Sequence, residues 1–121
     1  PVRRDGRLLI DGGTSNPLPY DRLLGRHDVV VAVDVSGSRE VTGDGVGWSD
    51  LLFKSFEVMQ QALIAARMRV AEPDILIRPD VSGIRLLHFH RVEAILEQAE
   101  PAAAELRRAL IEAGVRPTDG R

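Results

Sequence analysis

Asp28-Val29-Val30-Val31-Ala32-Val33-Asp34-Val35 is the stretch whose reading decides the fold. From Val29 to Val33 every residue is apolar, and all but Ala32 are β-branched. A strand with one wet face alternates in character, so an unbroken apolar run predicts a strand covered on both faces, as in a parallel sheet with helices on either side.

Downstream, residues 36–48 carry glycines at 37, 43, 45 and 47 and few apolar side chains, which predicts a flexible loop. Ser49 is placed to cap the helix that follows, with Trp48 just outside it and Phe53 one turn in as a hydrophobic staple. The spacing of Leu52, Phe56, Met59, Leu63, Ala66 and Val70 predicts that this helix runs to about Val70, where Glu72-Pro73 ends it. Ile75-Leu76-Ile77 is the next strand, closed by Pro79. Beyond Ser82-Gly83 the pattern turns helical, with Phe89, Val92, Ile95 and Leu96 on one side. Pro101 then opens a last helix, in which Leu106, Ala109, Leu110 and Ala113 face inward and Gly114 is the stop. These C-terminal helices span about 88–114, and the tail frays.

Upstream, Pro1 to Gly6 read as a loop or cut end, Leu8 to Ile10 as a strand, and Pro17 to Leu24 as a short helix ended by Gly25. Strand, helix, strand, helix, strand makes an α/β chain with a parallel sheet of about three strands flanked by helices, one domain over 1–121.

Composition narrows the function classes. Sixteen basic and 18 acidic residues give a formal charge of -2, without the basic footprint of a nucleic-acid binder. With no cysteine there is no disulfide, thiolate metal site or cysteine nucleophile. No apolar run approaches the roughly 20 residues that span a bilayer. A cytoplasmic or membrane-peripheral place is the expectation, though the missing targeting signals do not themselves establish it.

The chemistry concentrates where Leu8-Leu9-Ile10 meets Asp11-Gly12-Gly13. A strand ending there delivers a carboxylate to its carboxyl end, where ligands of open α/β sheets bind, and the glycines allow a turn and a close approach. The plain alternative is that Asp11 only caps the following turn or makes an Asx turn with Gly13.

Asp11-Gly12-Gly13, then Asn16-Pro17-Leu18-Pro19, then Gly25 and the strand from Asp28 to Asp34, resemble the carboxyl-terminal part of a bacterial patatin-like phospholipase domain. The likeness extends loosely to about Ala109. It implies a three-layer α/β/α domain and a lipid acyl hydrolase, a phospholipase A-like serine esterase without a cofactor, acting on lipid or acyl-ester substrate with transient contact at a membrane surface. It also implies that Asp11 is the general base of a Ser-Asp dyad, with Gly12, Gly13, Asn16 and Pro17 as motif and pocket residues. An ordinary carboxylate titrates near 3.9, a poor match to neutral pH, so such a base gains from partial burial. The family's nucleophile stands in a Gly-x-Ser-x-Gly elbow and its oxyanion hole in a glycine-rich loop, both upstream of the aspartate motif. Neither occurs here, since Gly47-Trp48-Ser49-Asp50-Leu51 lacks the final glycine. The expectation is that an upstream segment supplies both and that these 121 residues alone are inactive.

Two other classes remain open. Asp34-Val35-Ser36-Gly37-Ser38 resembles the metal-ion-dependent adhesion site of von Willebrand factor A domains, which implies Mg²⁺ held by Asp34, Ser36 and Ser38 for a partner's carboxylate. A non-catalytic interaction domain is the other. His88-x-His90 does not share a helix face and reads as a solvated pair, His27 likewise, and the scattered Arg67, Arg69, Arg78 and Arg85 read as solvated surface.

Overall fold

The computed structural model describes residues 1–36, 47–81 and 91–115, the Ser49 side chain excepted. In chain order they form β1 (Val2–Arg4), β2 (Arg7–Leu9), β3 (Val31–Val33), α1 (Trp48–Met68), β4 (Ile75–Ile77) and α2 (Val92–Glu112), with 3-10 turns at Gly12–Thr14 and Pro19–Arg22. This is a small mixed α/β arrangement in which β3 and β4 are the parallel pair.

The parallel pair is the centre. Val31 lies opposite Ile75, Ala32 opposite Leu76 and Val33 opposite Ile77. Backbone bonds from Ile75 N to the Val30 carbonyl and from Asp34 N to the Ile77 carbonyl extend the pairing at both ends. Successive side chains point to opposite faces. On one face Val30 and Ala32, with Leu76 beside them, pack against Leu18, Tyr20, Ile64 and Met68. On the other, Val29, Val31, Ile75 and Ile77 pack against Ala102, Leu106, Ala109 and Leu110 of α2. The apolar run is thus covered on both faces from Val29 to Ala32, whereas Val33 at its end is 42% exposed. Fully burying an aliphatic chain such as Ile64 contributes about 1.5–3 kcal/mol.

Several sequence expectations shift. Pro1 to Gly6 is not a loop: β1 and β2 form an antiparallel hairpin with Val2 opposite Leu9. Asp5 and Gly6 have φ of 51° and 74°, the two left-handed positions of a type I′ turn, which Asp-Gly favours. The strand before Asp11 therefore lies in an exposed hairpin, and a third strand of the parallel sheet is not found among the described residues. The expected helix over Pro17 to Leu24 is replaced by a single 3-10 turn, Pro19–Arg22, with Pro19 rather than Pro17 in its first turn.

α1 begins two residues earlier than expected. Gly47, not Ser49, is its N-cap, and Asp50 reaches back to accept from Gly47 N at 3.2 Å. Trp48 is inside the helix and exposed, as is Phe53, so no staple forms. The buried stripe is also rotated from the one expected. Ile64 is buried, whereas Leu52, Met59 and Val70 are exposed. Gln60 and Arg67, one turn to either side of Ile64, face inward with it, and a search for apolar periodicity passes over both.

α2 is a single helix with Pro101 inside it, not two helices divided there. Ala102, Leu106, Ala109 and Leu110 hold it to the sheet through the proline, while Val92 and Leu96 stay exposed. Ala113 is its C-cap and exposed. Gly114, at φ 78°, donates to Ile111 and Val115 donates to Leu110, a Schellman ending. The loop expected over 36–48 lies almost wholly outside the described residues, as do Ser82, Gly83, Arg85, His88, Phe89 and His90.

Candidate functional site

The Asp11 turn is built locally. Asp11 accepts from Gly13 N on Oδ1 at 2.7 Å, the Asx arrangement, and so caps the 3-10 turn Gly12–Thr14. The Asp11 carbonyl accepts the Thr14 hydroxyl at 2.7 Å, and the Gly12 carbonyl accepts Asn16 N at 2.8 Å. The Asp11 side chain is exposed, and among the described residues nothing donates to Oδ2. One carboxylate oxygen is thereby fixed and the other faces solvent. The partial burial that a base would gain from is not supplied by the described residues.

Gly12 and Gly13 differ in what they permit. Neither has a positive φ. A Cβ on Gly12 would enter open space, whereas one on Gly13 would overlap Gln60 Nε2. Of the two, only Gly13 is closely approached, and a side chain there would have to displace the Gln60 amide. Asn16 is half-buried and donates to Asp21 Oδ1 at 2.7 Å, while Pro17, half-buried beside it, leads the chain towards buried Leu18. That Asn16 bond foremost, with Arg67 and Arg22 nearby, holds the Asp21 carboxyl below the ordinary carboxylate range against the opposing effect of burial.

Helix α1 fastens this turn from outside. Gln60 Nε2 donates to the Gly13 carbonyl at 3.2 Å. Arg67 donates to the Ser15 carbonyl at 3.0 Å and pairs with Asp21 Oδ2 at 3.4 Å. Tyr20, 3% exposed, anchors the end of the segment by donating its hydroxyl to the Ala71 carbonyl at 2.7 Å.

A second group stands at the carboxyl ends of β3 and β4. Asp34 is buried, and Arg78 Nε approaches its Oδ2 to 3.3 Å. Oδ1 accepts both the Ser36 hydroxyl and, at 3.1 Å, Ser36 N. Gln61 Nε2 in turn donates to Ser36 Oγ at 2.6 Å. Burial pushes the Asp34 carboxyl up, but the two Ser36 bonds and Arg78 together prevail and leave it below its ordinary value. Ser36 and Asp34 are thus hydrogen-bonded, yet an aspartate stabilised as the anion is a poor acceptor of the serine proton.

Asp11, Gly12, Gly13 and Asn16 are brought into one turn, and Asp34 and Ser36 into another. The sequence reading named both but missed what ties them down. Consecutive residues Gln60 and Gln61, about 100° apart on a helix, reach one turn each. Arg67 and Arg78, read as solvated surface, are partners of Asp21 and Asp34. Ser38 of the alternative magnesium set lies outside the described residues. The Arg78 cation already occupies the side of Asp34 that faces it, and no group of three or more His, Cys, Asp or Glu suited to a metal occurs among the described residues. His27 is exposed. No described helix is long and apolar enough to cross a membrane.

In a comparison with known protein families, no family model matches this chain.

Proposed function

We propose that this chain is the later part of a patatin-like lipid acyl hydrolase and carries, in Asp11, the base of its Ser-Asp dyad. The carrying observation is the state of that carboxylate: Oδ1 is fixed by Gly13 N, and Oδ2 is exposed and uncommitted among the described residues. A dyad base needs that geometry, because a single aspartate must be rigid enough to aim and free enough to take a proton from the serine and later from water. Open space beside Gly12 leaves room for a second segment to approach.

In the complete enzyme the elbow serine and oxyanion hole come from outside these 121 residues. The serine attacks the ester carbonyl as Asp11 accepts its proton. The proton passes to the leaving alcohol, and Asp11 then activates water against the acyl-serine. The segment bearing the serine also supplies the cover that the exposed Asp11 lacks. The parallel pair β3 and β4, with a helix on each face, is the core that the complete three-layer domain extends to about three parallel strands.

Intact-mass spectrometry after a fluorophosphonate probe tests this reading. The complete hydrolase should take one adduct on an elbow serine, and the 121-residue chain none. An adduct on Ser36 or Ser49 of this chain alone would overturn the assignment.

A further inference from the structure

Gly13 uses both of its backbone polar groups in the site. Its N–H holds Asp11 Oδ1 at 2.7 Å, and its carbonyl is held by Gln60 Nε2 at 3.2 Å. The two bonds involve different peptide groups, so their link is geometric rather than a polarised chain. The bonds within the turn itself span at most a few residues, as in Thr14 to Asp11 and Asn16 to Gly12. Local bonds define the shape of a turn but not its place on the protein. Placement comes from α1, through Gln60 at Gly13 and Arg67 at Ser15.

We infer that Gln60 is a positioning residue for Asp11, fixing the carboxylate against helix α1 through the Gly13 carbonyl. The catalytic part of this inference rests on the dyad reading above. The required side chain is specific: it must donate to a carbonyl, reach from a helix that is itself anchored by Ile64 in the core, and fit where Gly13 has no Cβ. A glutamate of the same shape fills the space but its carboxylate cannot donate to the carbonyl. Arg67, placed one turn beyond Ile64, acts on the far end of the same turn and is already paired with Asp21, so it holds the segment without contact to the Asp11–Gly13 link.

The test has two arms. In the 121-residue chain, the Gly13 amide is followed by hydrogen exchange and NMR in Gln60→Ala and Gln60→Glu. Both should free it, with exchange rising roughly tenfold, while amides of β3 and β4 keep their protection. In the complete hydrolase both variants should lose roughly tenfold in kcat with KM within about twofold, the signature of a misplaced base rather than weakened substrate binding. Gly13→Ala, which displaces Gln60 by its added Cβ, should do the same, and combining it with Gln60→Ala should add little.

Unchanged Gly13 exchange in both Gln60 variants overturns the tether. Faster exchange with wild-type kcat, in an enzyme that Asp11→Asn inactivates, overturns the catalytic role. Gln60→Glu behaving as wild type shows packing rather than donation and also overturns it. If Asp11→Asn itself turns over normally, the dyad reading fails, and the exchange arm alone decides whether Gln60 places the turn.

Discussion

Arg78, just past the end of β4, reaches across to buried Asp34, just past the end of β3, with Nε 3.3 Å from Oδ2. Both groups therefore stand at the carboxyl end of the parallel pair, the end at which α/β sheets place their chemistry. The pair is asymmetric: Asp34 is buried and Arg78 is largely exposed.

That asymmetry sets an acid limb. Folding lowers the Asp34 carboxyl below its ordinary 3.8, so the unfolded chain binds the proton more readily. The contribution to stability is complete above the ordinary value and is lost as pH falls through the folded one. Urea midpoints measured from pH 6 downward should show the wild type losing stability below about 4, while Asp34→Asn, less stable at pH 6, shows a flatter profile. An identical profile in both would remove Asp34 from the acid transition.

Tyr20 sets an alkaline limb. Burial foremost, and Asp21 beside it, raise the phenol above its ordinary 10.0, with Arg67 opposing. Here stability is complete below the unfolded value and is lost as pH rises through the folded one. Tyr20→Phe should cost about 1 kcal/mol at neutral pH through loss of the bond to the Ala71 carbonyl, and should soften the alkaline transition. Denaturant midpoints at pH 7 and pH 11 check both statements.

Pro101 is exposed inside α2, where it removes a helix hydrogen bond and packs nothing in the core. Pro101→Ala should raise stability by up to about 3 kcal/mol and increase helicity by circular dichroism. A loss of stability would mean that the proline is needed to seat Ala102 on the sheet.

How much of this was legible in the sequence follows from the kind of signal each element carries. The strand around Val31 and the strand Ile75–Ile77 were readable because a short, unbroken β-branched run is stable only where both of its faces are covered. The hairpin at Asp5-Gly6 carries a turn signal as strong, but its strands are three residues long and exposed, and its arginines read as a loop. Pro101 suggested a helix start because local propensity says so, and packing of Ala102 and Leu106 overrode it. Asp11 and Gly13 stood out by residue type. Gln60, Gln61 and Arg78 did not, because a polar residue facing inward to hold a turn has no periodic signature; only the folded chain shows which carbonyl or carboxylate it meets.

The central claim is that Asp11 is the base that activates the nucleophilic serine, and steady-state ester hydrolysis by Asp11→Asn in the complete enzyme tests it most directly. An asparagine can keep the Gly13 N–H bond through its carbonyl oxygen, so the turn should survive while proton transfer does not. The account predicts at least a roughly thousandfold loss of kcat with an unchanged circular dichroism spectrum and melting temperature. Turnover within a few-fold of wild type in that folded variant would contradict it.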